Sequence, residues 1–472
     1  MVTGYPILYY ALIIVNLYKS KNLVLKGDLQ MKNNVLETEK IPKLFVMYSI
    51  PAIISMLILG TQSIIDGLFV GNYVGENAMA SVNIAQPFTQ FYVACLMVVV
   101  IGSLSYMGRS LGEKDIVKTQ NIYRTSLILL IIIASTLTII GFFFSDQIAF
   151  ILGANEILLK DTSLYIKIVS LFLVPMFLMT QFAFSNRLLE KPDLYFKGML
   201  LSLTINILSN IILVKYMELG VLGTAISTSI AEPIALFYVI WPHLDKKNVI
   251  NIFVGKIDKS TIIPVISNGA SEGMGTIAAA ITTYLFNMTF MKTLGEVGVA
   301  SFTIISYISL FSTFIMYGIA DGIGPLISYN YGARNFKRVK DVMRFSIKIS
   351  FIIGVILSIS LFFFGENLVA LFIRDNKDII NIATFGTKIF AFGFLFNGFN
   401  ILSSSYFTSL GLAKESIIIS LSRGLFFILI GIAILPVIFS TSGIWMVMPF
   451  AEIVTLGVCC FLLKREKNCK II

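Results

Sequence analysis

Asp66, Glu232, Glu272, Asp321 and Glu452 stand inside stretches that otherwise read as apolar helix. A carboxylate at the centre of a membrane helix costs roughly 2.5–3.5 kcal/mol on insertion scales, so it tends to face a cavity, a partner or an ion. Its chemistry there is reversible: it takes up a proton or a cation and releases it again. Asp66 follows Gln62 by four residues, so the two share one helix face, and Ser55 and Leu59 continue the stripe. The alternative is a buried Asp bonded to neighbouring helices, or one already at the outer interface. Glu272 begins a second stripe, Glu272–Thr276–Thr283–Asn287, whose spacings fit one face. Gly269 and Gly273 beside it also read as a packing seam, and both readings can hold together.

Asn397, Asn400, Ser404 and Thr408 line one side of the next polar segment. An asparagine there offers a carbonyl oxygen to a cation or ties helices together, and the pattern leaves both open. Asp321 lies near Gly322, Gly324 and Pro325, where a break in the helix is expected and free backbone groups would need partners. Glu232 and Glu452 are related by an internal repeat, which favours a scaffold role for both. Eighteen methionines and 39 phenylalanines supply adaptable apolar surface.

The elements that must position these groups follow from composition. Of 472 residues, 57% are hydrophobic and 13% charged, about half the charge of a soluble chain. The charges cluster between apolar runs long enough to cross about 30 Å of hydrocarbon as helices. A transmembrane β-barrel would show roughly ten-residue alternating segments instead. Six spans are expected near 44–70, 82–107, 122–144, 165–184, 195–214 and 222–241. Six more are expected near 262–291, 299–329, 345–364, 382–407, 417–438 and 444–463. The fold class is therefore all-α and polytopic. Residues 41–242 form one six-helix bundle, 243–260 a linker, 261–463 a second bundle and 464–472 a tail.

The net charge of +10 does not point to nucleic acid, because the basic residues sit in short loops where they set topology. One alternate set of loops holds Lys32, Lys40 and Lys43, then Arg109/Lys114/Lys118/Arg124, Arg187/Lys191/Lys197 and Lys246/Lys247/Lys256/Lys259. It continues with Arg334/Lys337/Arg338/Lys340/Arg344, Lys414 and the tail. The other set holds only Lys160, Lys215, Lys292, Arg374 and Lys377. Both ends of the core are therefore expected in the cytoplasm. Residues 1–40 read as a leader: Tyr5–Tyr18 is apolar but short, and Met31 opens a polar run into the first span, so translation is expected to start there. The four cysteines have no metal spacing, and the single histidine, His243, lies in a loop.

The chain repeats itself at an offset of 220 residues. GENAMASVNI at Gly75 aligns with GEVGVASFTI at Gly295, Gly112 with Gly332, and Glu232 with Glu452. With six spans per half, both halves begin on the same side, so the pseudo-two-fold axis should run along the membrane normal. Such repeats place a substrate path between the halves and permit alternating access.

Three segments carry a family resemblance. IPKLFVMYSIPAIISMLILGTQSIIDGLFVGNYVGENAMASVNIAQP (Ile41–Pro87), GPLISYNYGARNFKRVK (Gly324–Lys340) and FNILSSSYFTSLGLAKES (Phe399–Ser416) resemble the MATE (multidrug and toxic compound extrusion) transporters. The resemblance implies a V-shaped bundle, acting as a monomer in a bacterial plasma membrane. It implies export of small organic, often cationic, compounds in exchange for protons or sodium, with no cofactor. It also implies a functional aspartate at Asp66. Family members with a sodium site carry an acidic residue in the tenth span, where this chain has amides. A sodium cage would therefore have to use Glu272, Asn397 and backbone carbonyls.

A flippase of lipid-linked saccharides shares the architecture but should carry cations within its spans. Lys167, Lys348, Lys388 and Arg423 are expected near helix ends instead. An integral membrane enzyme would need a catalytic constellation, and the sequence shows no HExxH, no paired His and no nucleophile beside a base.

Overall fold

The computed structural model describes residues 35–373 and 376–468. The expected start at Met31, the Tyr5–Tyr18 stretch, and the loop and tail assignments of Lys32, Arg374, Cys469 and Lys470 lie outside these residues.

Twelve helical spans make up the described chain. The first six are Ile41–Tyr73, Glu76–Gly112, Ile116–Phe143, the pair Glu156–Leu171 and Leu173–Ser185, Asp193–Tyr216, and Gly220–Val239. The seventh and eighth lie within Ile262–Gly332, which breaks at Gly295. Phe336–Ala370 is the ninth, and Lys377–Ala391 with Phe394–Leu410 the tenth. The last two share Ala413–Lys467, broken at Ser440. Several are longer than hydropathy alone marks. At 1.5 Å per residue the 33 residues of the first span reach about 50 Å, so the helix projects beyond the hydrocarbon.

The offset of 220 reappears in the backbone. The turns that end paired spans sit at Gly75 and Gly295 (φ 113° and 64°), Lys114 and Arg334 (61° and 58°), and Gly220 and Ser440 (58° and 53°). Asp115 and Asn335 cap the third and ninth spans alike, each side chain accepting from the amide three residues on. The fourth and tenth spans are both bent, by 51° at Phe172 and 52° near Phe392. Pro175, one turn past the first bend, cannot donate to the Leu171 carbonyl, whereas no proline lies within 377–410; both spans begin several residues before their apolar runs. No break occurs near Asp321: the eighth span continues as helix through Gly324 and Pro325 to Gly332. Pro325 has no amide to donate to the Asp321 carbonyl one turn back, and that freed acceptor takes a hydrogen bond from Arg187 Nη1 at 2.9 Å.

The two bundles meet along a seam with the same symmetry. A Cβ on Gly102 would lie 2.0 Å from the Val265 carbonyl oxygen, and one on Gly269 would lie 1.8 Å from that of Val98. The repeat-related pair is Gly322 against the Ser49 backbone, at 2.5 Å. At the end of the second and eighth spans the relation is reciprocal. Gly112 abuts the carbonyl of Tyr329 at 2.0 Å, and Gly332 abuts that of Arg109 at 1.9 Å. Side chains larger than hydrogen cannot be seated at these crossings, so the backbones touch.

All of these contacts fall in the half of the bundle nearest the basic loops. There one apolar core runs through both bundles, from Leu104 and Met107 to Ile323 and Tyr406. Toward the opposite side the second bundle has a separate core around Phe286, Phe290, Phe302 and Trp445. The halves are joined at one end and part toward the other.

The residues before the first span also cross the seam. Val35–Thr38 is a short helix with Leu36 fully buried. The Val35 amide donates to Glu190 Oε1 (2.9 Å), while Asn330 Nδ2 and Arg338 Nε donate to the Leu36 carbonyl (3.0 and 3.1 Å). Glu190 belongs to the first bundle, Asn330 and Arg338 to the second.

Candidate functional site

In the first bundle the fifth and sixth spans bring three neutral donors to Asp66. Asn206 Nδ2 and Asn210 Nδ2 both donate to Oδ1, at 2.9 and 2.8 Å, and Thr228 Oγ1 donates to Oδ2 at 3.4 Å. Tyr165, from the fourth span, is buried and shares a hydrogen bond with Thr228. Asn206 and Asn210 are one turn apart, and the helix widens to a π segment at Asn210–Tyr216. Such an extra residue per turn is characteristic of functional sites. Among the described residues no Lys or Arg pairs with Asp66. Its charge is met by dipoles alone.

The second bundle solves the same problem differently. Glu452 of the twelfth span is fully buried. Its Oε1 accepts from Arg423 Nε (2.8 Å) and Asn397 Nδ2 (2.8 Å), and its Oε2 accepts from Asn400 Nδ2 (2.7 Å). Arg423 lies on another π segment, Ser422–Phe426, and its Nη1 donates to the Tyr317 hydroxyl at 3.2 Å. This carboxylate is met by a full positive charge.

Between the bundles Arg187 and Asp321 form a third polar contact. Arg187 is 1% exposed, and its Nη1 donates to the Asp321 carbonyl oxygen at 2.9 Å. Its Nη2 stands 3.7 Å from Oδ2, an ion pair rather than a hydrogen bond. The guanidinium also lies over the rings of Phe184 (4.2 Å) and Tyr195 (4.4 Å). Glu272 is within electrostatic range of both Asp321 and Arg423. Among the described residues its own carboxylate makes no hydrogen bond. One turn away, Asn268 is 3% exposed, and neither polar atom of its amide has a partner.

Comparison with known proteins decides the family. The MatE family profile matches residues 51–212 and 274–437. The chain belongs to the MatE family. It is 30% identical over 419 residues to the multidrug export protein MepA of Staphylococcus aureus (strain MSSA476), covering 86% of this chain and 89% of that one. To MepA of Staphylococcus haemolyticus (strain JCSC1435) it is 28% identical over 440 residues, covering 92% and 95%. Its fold matches a structure described as the outward-facing conformation of a multidrug resistance MATE family transporter of the MOP superfamily. That match has a TM-score of 0.86 at 21% identity, over 93% of this chain and 98% of the other. A MOP superfamily transporter from Pyrococcus furiosus Vc1 (DSM3638), with a binding pocket described as of reverse polarity, gives 0.85 at 20% identity, over 93% and 98%. This MatE chain is thus a multi-pass membrane transporter of the multidrug efflux type, and not an enzyme.

Within this MatE chain the residues singled out by sequence divide among three places. Asp66 is where its helix face aims it, but Gln62 is not its partner: the Gln62 side chain is buried with Oε1 unbonded. Glu272 stands near the seam, and Asn287, four turns on, has an unpartnered Oδ1. Among the described residues Asn397 makes no hydrogen bond to Glu272, and its Oδ1 has no partner. Its Nδ2 donates to Glu452 Oε1.

Glu232 and Glu452 do not share one environment, as symmetric scaffolding would require. Among the described residues Glu232 accepts from Ser202 Oγ alone, at 3.3 Å, whereas Glu452 is ion-paired. Arg187, counted among loop residues, is buried at a bundle contact, and Arg423, placed near a helix end, reaches an interior carboxylate. Hydropathy missed both because a long side chain carries its charge several ångströms from its backbone. Asn206, Asn210, Thr228 and Tyr165 were also missed. The four-residue spacing of the two asparagines in an apolar helix was the available signal.

Proposed function

We propose that the chain exports small organic compounds, commonly cationic, by antiport with protons, and that Asp66 is the coupling group. The observation that supports this most is a carboxylate stabilised by three neutral donors with no paired cation. Such a site tolerates both charge states. Ionised, it accepts from Asn206, Asn210 and Thr228; protonated, it needs no counter-ion, and the loss of charge frees the donors to move. Sodium would instead need several oxygens directed inward, while the Asp66 site directs N–H and O–H groups at the carboxylate.

In this reading both ends of the core and the 243–260 linker lie in a bacterial cytoplasm, and the seam seals that side. The cleft then opens outward, and the monomer alternates by rocking one bundle against the other. Gln62, Asn287, Glu272 and Asp321 face the route between bundles. The interior arginines do not favour an anionic lipid headgroup, because Arg187 and Arg423 are each paired with a carboxylate.

A membrane potential of about 100 mV supplies roughly 2.3 kcal/mol per charge moved, about fifty-fold accumulation. The test uses sealed proteoliposomes loaded with a fluorescent cationic dye. An imposed pH gradient without sodium should drive dye movement, and Glu272→Gln should weaken it. Transport that ignores the pH gradient and follows a sodium gradient would reverse the assignment.

A further inference from the structure

We propose that Arg423 is a tethered cation that fills the ion position of the second bundle and thereby excludes sodium from it. The proposal rests on the reading of the chain as a cation-coupled exporter and concerns what sets its ion selectivity. The cluster around Glu452 has the parts of a monovalent-cation cradle. A wholly buried carboxylate, two carboxamides and a phenol hydroxyl come from the tenth, twelfth and eighth spans. The Oδ1 atoms of Asn397 and Asn400 are buried and have no partner. Amide rotation exchanges oxygen for nitrogen at little cost in shape, so both groups can present oxygen to a cation.

What stops a free ion is the charge already there. Arg423 Nε sits 2.8 Å from Glu452 Oε1, and the pair is electrically neutral. Adding sodium would leave an uncompensated positive charge in a water-poor interior, which is strongly disfavoured. The π segment Ser422–Phe426 adds a residue to the turn that carries the guanidinium.

The arrangement is not a by-product of internal symmetry. At the offset of 220, Arg423, Asn397 and Asn400 correspond to Leu203, Phe177 and Thr180, so only the second bundle holds the set. The Glu452 cluster therefore does not fit a sodium ion in this chain as it stands, and one substitution should make it fit.

The experiment measures thermal unfolding of purified protein in nanodiscs, with sodium chloride exchanged for choline chloride at equal ionic strength. Wild type should show no difference in Tm. Arg423→Ala, which vacates the cradle and leaves Glu452 charged, should gain a few degrees in sodium. Arg423→Ala/Glu452→Gln, neutral again, should lose that response. A sodium-dependent shift in wild type that Glu452→Gln removes overturns the proposal, as does a folded R423A protein indifferent to sodium. If R423A does not fold in choline, recovery of monodisperse protein by purification in sodium supports the proposal, and failure in both salts overturns it. Binding is read without cargo or gradient, so a failed dye-efflux assay would sink the exporter reading and leave this result standing.

Discussion

The two bundles share a backbone plan but treat their buried carboxylates in opposite ways. The first bundle surrounds Asp66 with two asparagines and a threonine and leaves it unpaired. The second surrounds Glu452 with two asparagines and then adds Arg423. A carboxylate held by dipoles can change its charge without stranding a partner. A carboxylate held by a guanidinium cannot, since protonation would leave a buried arginine alone. The comparison therefore separates a group suited to proton exchange from one suited to holding the fold, although both are Asp or Glu in membrane helices at similar hydropathy.

The largest expected effect is on the paired side. Glu452→Gln strands the Arg423 charge, and removing one partner of a buried pair typically costs about 3–5 kcal/mol. A large drop in thermal stability or in yield of monodisperse protein should follow. Near-wild-type stability would mean that Arg423 finds another anion, Glu272 being the nearest candidate.

Asp66→Asn should do the reverse. It keeps shape and leaves no charge behind, so Tm should stay near wild type while dye efflux against a gradient, assayed in a pump-deficient host, is lost. A variant that still pumps would reduce Asp66 to a packing residue and collapse the contrast.

A smaller change is expected from Asn210→Ala, which removes one of the donors on Asp66 Oδ1. Hydrogen bonds to charged groups contribute about 1.5–3 kcal/mol, and Asn206 remains on the same oxygen. Efflux should fall severalfold without loss of expression. An unchanged rate would show that the donor at 2.8 Å is structural only.

The smallest effect separates Asp66 from the buried histidine that follows the sixth span. His243 is buried between Tyr123 and Phe182, its Nδ1 2.8 Å from the Tyr123 hydroxyl, and burial lowers its pKa from 6.5 to about 3. Below pH 6.5 the unfolded chain binds this proton and the native protein does not. Stability should therefore fall as pH drops from about 6.5 toward 3, by at most about 1.4 kcal/mol per unit. His243→Gln should flatten that slope in Tm measured between pH 7 and 5, while leaving the pH dependence of efflux in place. If efflux follows the histidine, the proton chemistry does not belong to Asp66.

The sequence by itself determined the class, the twelve apolar spans, the two-fold repeat and the presence of carboxylates where charge is expensive. These follow from length, periodicity and the cost of desolvation, which act on each segment locally. The repeat even located paired turns, since Gly75 and Gly295 both adopt a positive φ. Only the tertiary structure decided which carboxylate is paired. Asp66 and Glu452 look alike along the chain, and their difference lies in residues 140 or more away on one side and 29 away on the other.

The same limit explains Arg187 and Arg423. A guanidinium reaches far from its backbone, so its place in the sequence marks a helix end while its charge rests in the interior. The seam was half legible. Gly269 and Gly273 announced close approach, but which backbone approaches, and that Gly112 and Gly332 abut each other's bundles, depends on how the halves dock. Local propensity fixes helices. Partner choice between distant side chains is fixed by the packing of those helices, and that is where the two bundles diverge.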